Sequence, residues 1–438
     1  MSVLQVYPLP YKNDLVSHYQ SFSNLPGYVL LESRDHQHGR YDILTALPYD
    51  ALNVTRQSAN LHEALQQLQN KLLSVPSMSD LPFQGGAIGY ISYDFGAMLA
   101  GIISEPHPLN DMPLVDIKFY DWAIVVDHHC RQVHLVVAHQ KPDTKHYIKD
   151  ILTLWESQGT HYPPFLLCQK FSPLIREEDY RLAFEAIHQT LMQGRAYQVN
   201  YTQPFVGRYR GDSWEMYKKI RSRNRVPYAA FIRGLEGDVL SFSPERFLCI
   251  DKGVALTSPI KGTTPRSSHI RLDNEAKAGL LASEKNRAEN VMIVDLLRND
   301  LGKFSKPSSV QVTALCELQS FKAVHHLVST IQSQCKDNIT LSEAFAACFP
   351  GGSITGAPKR ESMRIIQEYE PFSRGIYCGS ITYFSNHGRL DSNIAIRTVT
   401  AKDDSLYLSA GGGIVIDSGW KDEYRECFTK IAAIVNAC

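Results

Sequence analysis

The chain has 438 residues, 44% of them hydrophobic and 21% charged, enough to bury one large core or two closely packed ones. Lys plus Arg and Asp plus Glu both number 45, so the formal net charge is zero, which argues against a nucleic-acid binder or a membrane-surface protein relying on a broad basic field. The nine cysteines include no C-x-x-C pair and read as reduced thiols; no basic start leads into an apolar run, no apolar stretch is long enough to span a bilayer, and a cytoplasmic location is expected.

In chain order, strand-like runs fall at 27–32, 117–126 and 132–138. A helix is predicted at 61–73, where Leu61, Leu65, Leu68 and Leu72 share one face. Residues 158–173, with Gly159, Pro163, Pro164 and Pro173, read as a linker or long connection. A helix follows at about 176–193, stopped at Gly194, then strands at 197–205, 228–233 and 239–242. Residues 274–299 read as one long helical stretch and 342–349 as another. Strands are expected at 376–384, 390–400 and 405–409, and Gly411, Gly412 and Gly413 precede a final helix at 419–436. Because strands come in groups rather than alternating with helices, the fold class is α+β, with large, mainly antiparallel sheets and helices outside.

Several segments carry chemistry. Glu423 and Glu426 share a helix face, as do Asn286 and Glu289. Oxygen ligands from two helices suit Mg2+, although solvated acidic faces are the commoner meaning of that spacing. In Pro350-Gly351-Gly352-Ser353-Ile354-Thr355-Gly356-Ala357-Pro358-Lys359 the glycines have phosphate-loop spacing, but Ala357 stands where the loop needs its Lys, so no nucleotide is implied. This turn and the three later glycines can offer backbone N–H groups to a carboxylate, or be tight turns only. Lys261, between Ile260 and Gly262, is a candidate amine nucleophile if desolvated; Glu245 is a candidate general acid if buried. His325-His326 reads equally as an anion contact or as two structural imidazoles.

Taken together, Ser243-Pro244-Glu245-Arg246-Phe247, Arg287-Ala288-Glu289-Asn290, residues 292–300 (MIVDLLRND), 325–329, 351–359, Ile396-Arg397-Thr398, 411–415 and Glu426-x-x-x-Lys430 resemble the chorismate-utilising enzymes. These segments keep that family's order across most of 172–438, and Leu30-Leu31-Glu32-Ser33 and residues 81–86 extend the likeness towards the start. The resemblance implies an anthranilate synthase component I-like, two-lobed fold. It divides the chain into an N-terminal region, 1–165, and a chorismate-binding catalytic region, 172–438. It also implies chorismate as substrate and Mg2+ held by Glu289 and Glu426, with Glu423 and Asn286 in support. Asn286 departs from the acidic residue usual at its position.

By the same resemblance, Gly411, Gly412, Gly413 and Lys430 take the ring carboxylate, Arg397 the enolpyruvyl carboxylate, and His326 and Thr355 line the ring. Lys261 in Pro259-Ile260-Lys261-Gly262-Thr263 is the branch signature of aminodeoxychorismate synthases, where anthranilate and isochorismate enzymes carry Ala. It implies attack by Lys261 at C2 with Glu245 as acid, and ammonia addition at C4. The alternatives are an anthranilate synthase large subunit and a non-catalytic chorismate-binding protein. No Gly-x-Cys-x-Gly elbow is present, so ammonia is expected from a separate glutamine amidotransferase subunit. Ser33, Arg40, Tyr41, Pro227, Tyr228 and Ala229 resemble the family's tryptophan pocket.

Overall fold

The computed structural model describes residues 4–438 apart from 58–59, 104–111, 140, 142, 158–160 and 323. Two sheets, of twelve and ten strands, form its centre, and their pairings are antiparallel throughout. Their facing sides enclose one apolar cluster, with Val29, Ile43, Val125 and Val239 from the larger sheet against Ile88, Tyr90, Ile381 and Tyr383 from the smaller. Each outer face is covered by helices, giving helix, sheet, sheet and helix layers. Among the described residues no helix is long and apolar enough to cross a membrane.

Both sheets draw strands from either side of residues 165–172. In the larger one, Val29–Glu32 pairs with Tyr228–Ile232; in the smaller, Gly86–Ile91 pairs with Ser380–Ser385. The chain passes directly between sheets at four places, after Thr45, at Asp121, and at the two that bear on the site. Asp238–Ser243 belongs to the larger sheet and Arg246–Asp251 to the smaller; Arg389–Asn393 belongs to the smaller and Thr398–Lys402 to the larger. The two crossovers are bonded to each other: Ser243 Oγ donates to the Ile394 carbonyl at 2.6 Å, and the Ile394 N–H donates to the Glu245 carbonyl at 3.0 Å. This also corrects the single strand expected over 390–400. Residues 394–397 turn between layers, with Arg397 at φ 52°.

Other expectations change for local reasons. The helical run 274–299 is two helices, Ile270–Ala282 and Glu284–Gly302, because Ser283 turns extended and its hydroxyl caps the Asn286 N–H. The run 117–126 breaks at Asp121, a buried carboxylate that accepts from the Lys141 N–H and the Thr144 hydroxyl. The connection expected over 158–173 holds a strand, Leu166–Pro173, on the edge beside Gln198–Arg210, where its prolines and alternating exposure are tolerated. Residues 158–160 of that connection lie outside the described residues. The helix Leu61–Lys71 forms with Asn60 as cap and Leu68 buried, and Glu177–Met192 ends before Gly194, which is left-handed at φ 76°.

Candidate active site

The candidate reaction site lies where these two crossovers meet. Glu245 stands on the first crossover and is 6% exposed. Burial raises its pKa, against the opposing pull of the Ser353 hydroxyl, the Lys261 amine and the Ile260 N–H. Lys261 lies on the strand Ile260–Pro265, half-buried, with Nζ 3.5 Å from the Ser353 carbonyl, the outer limit of a hydrogen bond. Burial lowers its pKa, opposed by the Glu289, Glu245 and Glu426 carboxylates and assisted by the Lys430 charge. An amine that resists protonation thus sits beside an acid that resists ionisation.

The local backbone explains the aim of Lys261. Lys261 pairs with Leu327 and Thr263 with His326, leaving Gly262 as an extra residue in the bulge between them. Gly262 has φ 78°, and a Cβ there would lie 3.0 Å from Asn286 Cγ and 3.1 Å from Leu280 Cδ1. Only glycine lets the helix bearing Asn286 and Glu289 come this close to the lysine strand.

Of the two readings left open for Gly411, Gly412 and Gly413, the tight turn is excluded: they lie inside the strand Ser405–Ile414, paired with Thr202, Tyr201 and Asn200. Their smallness serves close approach. A Cβ on Gly411 would fall 2.1 Å from the Tyr201 carbonyl oxygen, and one on Gly412 2.5 Å from Glu423 Oε2. Glu423 is buried, accepts from Ser418 Oγ at 2.8 Å, and has its pKa raised by burial and then by Glu426. Lys430 Nζ donates to the Gly411 carbonyl at 2.7 Å and pairs with Glu426 at 2.7 Å. Glu289 is half-buried and makes no ion pair among the described residues. No three His, Cys, Asp or Glu side chains converge as a ready metal cage among the described residues. Carboxylate oxygens on two facing helices nevertheless fit the donor preference of Mg2+, which takes few protein ligands and leaves the rest to water and substrate.

Three further expected residues reach the same cleft. His326 is buried, with Nδ1 2.8 Å from Thr263 Oγ1, and burial together with the Arg397 charge lowers its pKa to about 4. Thr355 is buried and its hydroxyl donates to the Gly351 carbonyl at 2.9 Å, holding the glycine loop closed. The Arg397 guanidinium has no acidic partner among the described residues, and burial alone lowers its pKa. The sequence reading missed Gln198. It is fully buried, neither amide atom has a hydrogen-bond partner among the described residues, and Nε2 lies 2.5 Å from where a Gly413 Cβ would stand. Its sequence signal is the period-two polar series Gln198, Asn200, Thr202 that opens the strand.

A second cavity, of about 590 Å³, opens between the larger sheet's N-terminal strands and the smaller sheet. Ser33, Arg40, Tyr41, Pro227, Tyr228 and Ala229 all line it. Its charges are matched internally: Arg40 to Asp127 at 2.6 Å, Arg246 to Asp391 at 3.0 Å and Arg389 to Asp251 at 3.0 Å. Arg246 follows Glu245 directly, so the two sites share one crossover as a wall.

The family pattern described as chorismate binding enzyme matches residues 27–436. Aminodeoxychorismate synthase component 1 of Salmonella typhimurium is 40% identical over 98% of this chain and 97% of its own length. Anthranilate synthase component 1 of Geobacillus stearothermophilus is 31% identical over 97% and 92% respectively. The crystal structure of anthranilate synthase component I from Streptococcus pneumoniae superposes with a TM-score of 0.81 at 28% identity, covering 91% of this chain and 92% of that one. With the pattern spanning nearly the whole sequence and the fold matching layer for layer, the chain belongs to the chorismate-binding enzyme family.

Proposed function

We propose that the chain joins chorismate and ammonia to give 4-amino-4-deoxychorismate, the precursor of p-aminobenzoate and folate, in the cytoplasm. Lys261 carries this reading: its amine is desolvated towards neutrality beside the protonation-prone Glu245, as covalent catalysis requires. The Lys261 amine attacks C2 of the ring diene as the C4–oxygen bond breaks, and Glu245 gives its proton so that water rather than hydroxide departs. Ammonia then bonds to C4 while the C2–nitrogen bond breaks, returning the amine and leaving the enolpyruvyl group in place. Arg397 takes the enolpyruvyl carboxylate as its missing counter-ion, the Gly411–Gly413 backbone and Lys430 hold the ring carboxylate, and His326 and Thr355 line the ring. Mg2+, when bound by Glu289 and Glu426 with Glu423 and Asn286 in support, supplies charge at the ring carboxylate and draws electron density from the diene. Ammonia comes from a separate glutamine amidotransferase subunit. The 590 Å³ cavity, with its charges already matched and its wall part aromatic, suits tryptophan.

Chorismate, Mg2+ and ammonium incubated with the chain should yield a product that retains the enolpyruvyl group, identified by mass. Anthranilate with pyruvate released would support the anthranilate synthase reading instead, and no Mg2+-dependent turnover at all would leave a chorismate-binding protein.

A further inference from the structure

A stack of rings joins the second cavity to the cleft. His38, on the cavity wall, lies against Phe321 with ring centroids 4.0 Å apart and planes 25° apart. Phe321 meets His326 edge-on, at 5.1 Å and 68°. The two imidazoles are held through a ring nitrogen and Phe321 through its backbone. His38 Nδ1 is 2.9 Å from Asp35 Oδ2, the Phe321 carbonyl accepts from Arg266 Nη1 at 3.0 Å, and His326 Nδ1 meets Thr263 Oγ1 at 2.8 Å.

Thr263 therefore fixes one ring nitrogen of His326, while Phe321 supports the imidazole from the side. Phe321 itself is 9% exposed, and the ring covering its face is His38. Without that ring, Phe321 would border open cavity and be free to leave its place. The charged and titratable groups acting on His326 are Arg397, His325 and His38, all of which disfavour its protonation. His325 turns away, bonded to Asp273 and Ser320, so it gives no lateral support.

We infer that Phe321 and His38 are positioning residues for His326, so that a residue of the N-terminal region sets the geometry of the reaction cleft. This rests on the reading of that cleft as the chorismate site. His38→Ala should lower kcat about 10-fold with KM for chorismate within about twofold, because lost orientation is felt most in the transition state. The side chain of His38 is 24% exposed, so its truncation leaves the core intact. His38→Phe keeps the ring but loses the Asp35 bond, and should recover activity to within about twofold of the parent. Phe321→Leu should match His38→Ala, and the double variant should be no slower than either alone, as expected of residues acting through one chain of contacts.

NMR titration of the His326 ring gives a readout that does not depend on turnover. The ring should titrate about 1 pH unit higher in Phe321→Leu, as water gains access. A His38→Phe variant as slow as His38→Ala, or an unmoved His326 titration in Phe321→Leu, overturns the proposal. His326→Ala probes the underlying reading separately. If it leaves chorismate turnover untouched, the cleft reading fails, whereas slow turnover there with unaffected His38 and Phe321 variants sinks only the positioning role.

Discussion

The reaction cleft and the 590 Å³ cavity share the crossover that carries Glu245 and Arg246, yet they treat charge in opposite ways. In the cavity every arginine named above has its own carboxylate within 3.0 Å. In the cleft, among the described residues, Arg397 has no acid and Gln198 no partner for either amide atom, and Lys261 and Glu245 are each pushed towards neutrality. An unpaired charge out of water costs several kcal/mol, so a fold keeps one only where something else completes it. On the proposed function, a charged substrate would complete the cleft, whereas the cavity's arginines are already paired and leave shape and apolar contact to any occupant.

Lys261→Ala should break the cleft most thoroughly. Aminodeoxychorismate formation is expected to fall about 1,000-fold, roughly 4 kcal/mol of transition-state stabilisation, with slow products of direct attack at C2 appearing instead. Product mass analysis decides this, and undiminished synthesis would remove the lysine from the mechanism. Arg at this position should be worse than Ala, since guanidinium stays protonated and fills the space.

Next in size, Glu289→Gln should cost turnover about 100-fold and Glu423→Gln about 10-fold, because Glu423 is already held by Ser418 while Glu289 has no ion pair among the described residues. Steady-state rates across a Mg2+ titration separate the two, and equal losses would show the ligand roles to be misassigned. Chelation should abolish turnover in the parent.

The arginines give the sharpest test of the contrast itself. Arg397→Met should raise KM for chorismate about 100-fold, as expected on removing the partner of a desolvated carboxylate. Arg389→Met, in the cavity, should leave KM within about twofold and instead lower the melting temperature by a few degrees, because it strands Asp251. Similar KM values for the two variants would erase the distinction.

The smallest effect concerns pH. His326 in the cleft and His387, beside Arg389 behind the cavity, are both held at about 4 by burial, helped by a nearby arginine charge. An unfolded histidine titrates near 6.5, so the unfolded chain takes up protons first as pH falls. Their contribution to stability is whole above about 6.5 and is lost as pH drops towards about 4. For the buried His326 the loss is on the order of 3 kcal/mol. Urea unfolding at pH 7 and pH 5 should show it, and His326→Gln should flatten the slope.

The residue types of the site and most helices were legible in the sequence because their rules are local. Leu61, Leu65 and Leu68 repeat at helical spacing, Gly194 stops a helix within one residue, and Pro259-Ile260-Lys261-Gly262-Thr263 reads as a unit. The two helices hidden in 274–299 were equally local but turned on a single serine acting as a cap, which an apolar pattern does not register. Chemical identity and approximate order therefore came from the chain alone: a lysine, an acid, two pairs of helix-borne oxygen-bearing side chains and a glycine run, in that family's sequence.

Tertiary structure decided what those groups became. Gly412 faces Tyr201 across the sheet and Glu423 beyond it, so its need for smallness arises from segments far along the chain and not from a turn. The missing partner of Arg397, the open amide of Gln198 and the ring stack from His38 to His326 are likewise properties of neighbours supplied by distant strands. Desolvation is a sum over everything packed around a group, and pairing depends on register between strands, so neither can be read from the few residues on either side.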